Sequence, residues 1–168
     1  MLIDITYFTS GPRQIENAVE VSSPSAQQQA VRNVIEKYIS LLQGKFLDAA
    51  VGASMRSFVE GYLDSMEDDG FEEDPDTEVL LELLREPLAD YVLYYILRDA
   101  GQQSTVTGLV ELKSANRYVE PQTRQAHVWN RMAEGVARLV EYCAADDSPF
   151  DITVQRYMLM KINPMGGI

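Results

Sequence analysis

The sequence has little of the residue types on which catalytic and metal sites are commonly built. It contains one cysteine, Cys143, and one histidine, His127, in 168 residues. A single cysteine excludes a disulfide within the chain, so we expect Cys143 to be a small apolar residue on a helix face. His127 has Thr123 and Arg131 one helical turn away, and neither can complete a metal site. We therefore predict no metal site at His127, which should pack at the surface or at an interface.

Catalytic and phosphate-binding motifs are also missing. The chain has no GxSxG nucleophile turn and no glycine-rich phosphate loop. Its carboxylates are too numerous in one region for a general acid and base to be singled out. No charged and apolar leader follows Met1, so we expect no secretion. These absences predict a protein that is not an enzyme and binds no cofactor.

Basic residues are scarce, and the acidic excess is local. Lysine and arginine number 14 against 26 aspartates and glutamates, for a net charge of −12. Between Glu60 and Glu86 twelve acids face one base, whereas the rest of the chain has fourteen acids and thirteen bases. Such a chain has no basic surface for gripping a phosphate backbone, so direct nucleic-acid binding is disfavoured.

The longest apolar stretch, residues 79–99, predicts the central helix of a single domain. Its charged residues recur every three or four positions and should form one solvent-exposed stripe: Glu82, Arg85, Glu86 and Asp90. These charges also make the stretch unsuitable for crossing a membrane. Pro87 predicts a kink or break near Glu86, giving either two helices or one bent helix.

Three further helices follow from periodicity and capping signals. The first should start at Ser23 and Pro24 and end at Gly44, before a short apolar piece at residues 46–51. Ser54 should cap the second, which has the cleanest amphipathic pattern and ends at Met66. Asp74 and Pro75 offer a start for the central helix, and Pro121 for the last one, which should reach Cys143. The expected core includes Phe58, Tyr62, Leu84, Tyr91, Tyr94, Tyr95, Trp129 and Met132.

The remaining segments are predicted to be extended. Residues 1–8 read as a strand or arm, residues 104–113 as a loop or a small hairpin turning at Gly108, and the tail after Asp146 as strand-like. The predicted fold is mainly α: a compact bundle of four to five helices at 24–146, between extended arms at 1–23 and 147–168. Strand addition to another subunit is a natural use for such arms, with contacts expected at Ile3, Ile5, Tyr7, Tyr157 and Met160.

The loop between the second and central helices, residues 67–76, is strongly acidic, and we call it the acidic loop. It permits a calcium hypothesis. The segment can be aligned with a twelve-residue calcium loop through Ser65, Glu67, Asp69, Gly70 and Asp76. This alignment places Gly70 at the position where such a loop needs glycine for a sharp turn. However, serine replaces the first aspartate, and aspartate replaces the bidentate glutamate and follows a proline. A solvated run of charge is the favoured interpretation.

Three arginines on the last helix repeat every seven residues: Arg124, Arg131 and Arg138. They should form a stripe about 20 Å long. In one interpretation Glu134 and Glu141 pair with them inside the helix. In the other, the stripe of one subunit meets the acidic loop of the next around an oligomer. The acidic residues of that interface would be Glu67, Asp68, Asp69, Glu72 and Glu73.

Several short motifs together resemble a known protein family. They are residues 38–66, the tyrosine-rich stretch 80–121 with a TxxG turn at Thr105 and Gly108 and an extended segment at Asn116, and the HVWNRMAEGV helix with adjacent Trp129 and Asn130. This pattern, over most of residues 38–140, resembles the head–tail connector or adaptor (neck ring) proteins of tailed bacteriophages, including the crAss-like type. The first 37 residues carry no such motif.

The resemblance implies a structural protein of the virion neck, assembled in the host cytoplasm. It would form a homo-oligomeric ring, with twelve subunits expected, that docks beneath the portal protein and contacts the tail or further neck ring proteins. DNA would pass through the lumen without sequence-specific binding, and no membrane would be involved. The acidity of residues 67–78 departs from this pattern. One hypothesis is that it faces the lumen and repels DNA.

Two other functions stay open from the residues themselves. A small acidic helical module could bind a basic protein partner with its acidic loop, or mimic nucleic acid. The second alternative to the ring is a minor metal-dependent role at the acidic loop. A ring predicts ordered termini and a large homomeric interface, an interaction module predicts a free monomer with a mobile acidic loop, and a metal role predicts stabilisation by calcium.

Overall fold

The computed structural model describes residues 1–102, 121–146 and 148–163. Within these ranges the chain forms four α-helices: α1 Ala26–Ala50, α2 Ala53–Ser65, α3 Pro75–Gln102 and α4 Pro121–Cys143. Three short 3₁₀ turns accompany them: Ile5–Phe8, Gly11–Arg13 and Arg156–Leu159. No strand occurs in the described ranges, so the predicted mainly helical bundle is confirmed. The hairpin predicted around Gly108 lies outside the described residues.

Helix α3 lies at the centre and packs most extensively against α4. Its inward side chains are fully buried: Leu80, Leu81, Leu84, Leu88, Val92 and Leu93. The Gln125 amide donates to the Leu97 carbonyl at 3.1 Å, while near the other end the Tyr142 hydroxyl donates to the Asp76 carbonyl at 3.4 Å. The sequence positions in these pairs run in opposite directions, so α3 and α4 are antiparallel. The prediction of a central helix holds.

Pro87 does not interrupt α3, which continues as one helix on both sides of it. Proline lacks the N–H that would bond the preceding turn. Its ring instead packs against α4 at Gly135, where an added Cβ would lie 2.5 Å from the Pro87 Cγ. Of the two predicted outcomes, the division into two helices is therefore wrong, and the single bent helix stays a prediction. The close approach at this point requires glycine in α4.

Helix α1 covers another side of α3 and is also antiparallel to it. The Tyr38 hydroxyl donates to the Asp99 carboxylate at 2.9 Å, and the Phe46 and Tyr91 rings lie 5.5 Å apart. Burial and the Asp99 carboxylate raise the pKa of Tyr38 to about 12. The helix starts two residues later than predicted, because Ser25 forms a capping box with Gln28. It then runs through Gly44 and includes the apolar piece predicted to be separate.

Helix α2 follows a sharp turn at Gly52, whose φ of +86° suits glycine. The helix begins at Ala53 without a side-chain cap, so the prediction of Ser54 as its cap is wrong. Val59 is fully buried in α2, but Phe58 is 45% exposed, which corrects its assignment to the core. The short helix packs mainly on α1 and leaves the Phe58 side uncovered. The predicted start of α3 is confirmed, because the Asp74 carboxylate accepts from the Thr77 amide at 2.9 Å.

The first residues are not an extended arm. Asp4 accepts from the Thr6 amide at 2.9 Å and so initiates the turn Ile5–Phe8. The apolar side chains of this segment enter the core: Leu2, Ile3, Ile5, Phe8, Ile15 and Ala18. The strand prediction for residues 1–8 is wrong, because Ile5–Phe8 form a 3₁₀ turn and the described ranges contain no strand with which this segment could pair.

The tail also forms no strand in its described part. It crosses the end of α1, where the Thr153 amide donates to the Val51 carbonyl at 3.1 Å and the Gln155 amide to the Ala49 carbonyl at 2.8 Å. The turn Arg156–Leu159 then buries Met158 and brings the chain onto α4. Helix end and side chains, rather than a partner strand, satisfy this backbone.

Candidate interaction surfaces

A buried carboxylate joins three distant parts of the chain. Asp90 on α3 is 1% exposed and accepts hydrogen bonds from two arginines. The Arg13 Nε lies 2.6 Å from its Oδ1, and the Arg131 Nε lies 2.8 Å from its Oδ2. The Nη2 atoms of both arginines complete fork-like contacts with the same carboxylate. Asp90 is therefore not part of a solvent-exposed stripe, which corrects that prediction.

This ion cluster fixes the first segment to α3 and α4. Burial alone would lower the pKa of Arg13, but the hydrogen bonds and charges of Asp90 and Glu86 outweigh burial and raise the pKa above its ordinary value. Two charge-assisted forks on one carboxylate leave none of its bonding capacity unused. Within the described ranges every buried side-chain nitrogen and oxygen has a partner. The cluster therefore holds the first segment against α3 and α4, and in the described part of the chain it has no unpaired buried polar group with which to bind a ligand.

The predicted arginine stripe does not lie free on one surface. Arg131 points to Asp90, and Arg124 is half-buried with its Nη2 3.4 Å from the Gln14 carbonyl. Burial, together with the Arg131 charge, lowers the pKa of Arg124. Glu134 pairs with Lys161 at 2.8 Å, and the hydrogen bond and charge of Lys161 lower the pKa of Glu134 more than the charge of Arg138 on its own helix does. Arg138 is exposed, whereas Arg124 and Arg131 are half-buried and bound within their own chain, so the contact of the stripe with the acidic loop of a neighbour stays a prediction.

Trp129 and Asn130 clamp the tail by its backbone. The Trp129 indole N–H donates to the Met160 carbonyl at 2.8 Å. The Asn130 amide pairs with Ile162 at two points, donating to its carbonyl at 2.8 Å and accepting from its amide at 2.6 Å. Trp129 also stacks on Tyr157 at a centroid distance of 6.3 Å. Two neighbouring residues of α4 thus hold the tail along the helix.

Because the clamp uses backbone atoms, the apolar side chains of the tail remain available. Leu159, Met160 and Ile162 are 41%, 56% and 39% exposed. Arg156 and Lys161 lie beside them and are exposed too. We call these five residues the tail strip. It is a basic and apolar surface whose backbone is anchored at Met160 and Ile162.

A second surface lies between α2, the start of α3 and the chain before the tail. This groove has a volume of about 330 Å³. Its lining residues are Met55, Phe58, Asp74, Asp76, Thr77, Pro149 and Phe150. The Phe58 and Phe150 rings are 6.1 Å apart and form an aromatic wall. Two carboxylates and no basic side chain line it, so we call it the acid-rimmed groove.

The acidic loop is anchored at its two ends and exposed between them. Tyr62 accepts from the Asp74 amide at 2.9 Å and donates to Glu78 at 3.0 Å, while Phe71 packs edge-on against its ring. The predicted interface acids are all exposed: Glu67, Asp68, Asp69, Glu72 and Glu73. No three potential metal-binding side chains come together in the described ranges. The described residues therefore offer no cluster of ligands that would support the calcium hypothesis.

The other predicted residues are distributed between the core and the surface. Leu84, Tyr91, Trp129 and Met132 are buried. Tyr62, Tyr94 and Tyr95 are half-buried beside the core. Among the predicted arm contacts, Ile3 and Ile5 are buried in the chain's own core and cannot reach a neighbour. Tyr7 is half-buried, and Tyr157 and Met160 are exposed.

The single histidine and the single cysteine lie on α4. His127 is exposed, and Cys143 is half-buried, where burial raises the pKa of the thiol.

In comparisons with known proteins, no family model, curated protein or solved structure matches the chain. In the described ranges no helix combines the length and apolarity needed to span a membrane.

Proposed function

We propose that this protein is a subunit of a homo-oligomeric ring in the head–tail connector of a tailed bacteriophage. The ring, with twelve subunits expected, links the portal protein to the tail or to further neck proteins in the virion. Its role is structural, and it catalyses no reaction.

The tail strip carries the proposal. An assembling subunit needs apolar surface that keeps its shape before the partner arrives, since ordering it on contact would weaken binding. Trp129 and Asn130, which belong to the motifs that resemble connector proteins, hold the strip by its backbone. Three exposed apolar side chains within four residues on one clamped segment are typical of a contact surface rather than of solvent exposure by chance.

The charge distribution is compatible with a DNA passage. The exposed acids of the loop would repel phosphate if they faced the lumen, so that DNA moves through without binding. The chain's net charge of −12 acts in the same direction. DNA is accordingly a passing cargo and not a ligand.

Light scattering of the purified protein at low and high salt tests the proposal, alone and with the portal protein of the same phage. The expected result is one defined large ring, either alone or on the portal. A monomer that ignores salt and portal would contradict it. Adding DNA should produce no binding at physiological salt.

The acid-rimmed groove favours a second candidate, a small helical module that binds a basic protein partner. Its aromatic wall and two carboxylates could accept a basic and apolar segment. This function predicts a monomer that binds the partner in a salt-dependent way through Phe58, with no ring under any condition.

A further inference from the structure

We infer that the tail strip of one copy binds in the acid-rimmed groove of the next copy. This inference rests on the proposed ring and identifies the two surfaces that build it. It replaces the contact between arginine stripe and acidic loop, because Arg131 is committed to Asp90 within its own chain.

The apolar parts of the two surfaces fit each other chemically. Met160 is the most exposed of the three apolar residues in the tail strip, at 56%. The groove offers the Phe58 and Phe150 rings 6.1 Å apart. A thioether next to aromatic rings is a favourable contact, and methionine adapts to an irregular pocket. A volume of about 330 Å³ can take such a side chain. We place Met160 against this aromatic wall.

The charged parts are complementary as well. Asp74 and Asp76 rim the groove, which has no basic residue in its lining. Residues 156–162 contain Arg156 and Lys161 and no acid. Lys161 is bound to Glu134, but its side chain remains 59% exposed and can approach a second carboxylate. Opposite charges at the rim would set the register of the contact more than its strength.

The placement of the two surfaces explains why the contact would join copies rather than close on one chain. The strip is fixed along α4 by Trp129 and Asn130, whereas the groove is formed by α2, the start of α3 and residues 149–150. The surfaces share no residue. A contact between two different surfaces is heterologous, and it generates a ring when the rotation between copies closes.

Cysteine crosslinking of the full chain tests this pairing, in a Cys143→Ser background. One preparation carries Phe58→Cys in the groove and the other Met160→Cys in the strip. They are mixed and mildly oxidised, and the dimer is quantified on a non-reducing gel. The matched control replaces Met160→Cys by Leu41→Cys on α1, because Leu41 is 57% exposed and lies in neither surface.

The expected result is a crosslinked dimer from the Phe58→Cys and Met160→Cys mixture, several-fold above the Leu41→Cys control, and less of it when Asp76→Lys is added to the groove partner. Light scattering of the wild type is run beside it. A ring without this crosslink would overturn the pairing and leave the proposed function intact. The crosslink without a ring would support the pairing and contradict the ring. The absence of both would overturn both.

Discussion

The first 18 residues and residues 159–162 are both held against the helices, but by different means. The first segment inserts its side chains into the core, with Phe8 completely buried and Arg13 bound to Asp90. Beyond the buried Met158, the tail is held mainly through its backbone carbonyls and amide by Trp129 and Asn130, and it keeps Met160 and Ile162 exposed. The side chains of the first segment therefore stabilise the chain's own fold. The exposed side chains of the tail can contact a partner.

This difference has an energetic consequence. Burial of whole apolar side chains is the strongest stabilising contribution that a short segment can make, whereas each hydrogen bond adds about 1 kcal/mol net. Substitutions of buried residues in the first segment should therefore unfold the protein, and substitutions that break the hydrogen bonds to residues 159–162 should release the end of the tail and leave the helices folded. Four predictions test this contrast, in order of decreasing effect.

Phe8→Ala should be the most destabilising of these changes. It leaves a cavity at a fully buried position, which costs roughly 3–5 kcal/mol of unfolding free energy. The matched change in the tail is Met160→Ala, an exposed site where the effect should stay within about 0.5 kcal/mol. Urea unfolding of the two variants measures both values. Similar losses for both would contradict the contrast between the segments.

Asp90→Ala should lower the free energy of unfolding by roughly 3 kcal/mol. The largely buried guanidinium of Arg13 would lose its buried carboxylate partner. The amides of residues 1–18 should then exchange with solvent faster than those of α1. Glu86→Ala is the control, since Glu86 also contacts Arg13 but is 55% exposed. If the two variants unfold at the same urea concentration, the buried cluster does not hold the first segment.

Asn130→Ala should cost about 1 kcal/mol or less, because two hydrogen bonds to Ile162 are lost at an exposed position. Hydrogen exchange should show the Ile162 amide losing protection while the buried helices keep theirs. Asn130→Asp retains the acceptor for that amide and should protect it partly. General loss of protection in α3 would mean that the tail is part of the core after all.

Acidification should loosen the tail slightly. The hydrogen bond and charge of Lys161 lower the pKa of Glu134 below its ordinary value of 4.5. A lowered pKa in the folded state means that this contribution is present above about pH 4.5 and disappears as the pH falls through the folded value. Protection of the tail amides should therefore drop in this acidic range. Lys161→Gln should remove the pH dependence, and an unchanged profile in that variant would contradict this assignment.

Local signals in the sequence predicted the helices well. The proline at the start of α4 and the aspartate and proline at the start of α3 mark helix ends through interactions within one turn. The apolar periodicity likewise identified α3 as the central helix. Some failed predictions were local, such as the cap at Ser54, and others depend on distant residues. Helix α3 continues through Pro87, whose ring packs against Gly135 of α4, and Phe58 is exposed because no element covers its side of α2.

The ion cluster could not be found by the same reasoning. Asp90 stands among apolar neighbours in the most buried helix, which is the one signal that it is not solvent-exposed. Nothing local connects it to Arg13, 77 positions away, or to Arg131, 41 positions away. Likewise, the adjacent Trp129 and Asn130 drew attention as a motif, but their role as a clamp depends on where the tail lies.

The sequence by itself therefore determined the helical class, the central position of α3, the helix starts at Pro75 and Pro121 and the concentration of acid before α3. These properties depend on periodicity, capping and composition, which act over a few residues. Only the tertiary structure decided which end of the chain enters the core and which presents its side chains. That choice depends on pairings between distant residues, Asp90 with Arg13 and Arg131 and the Asn130 side chain with Ile162, which no local pattern encodes.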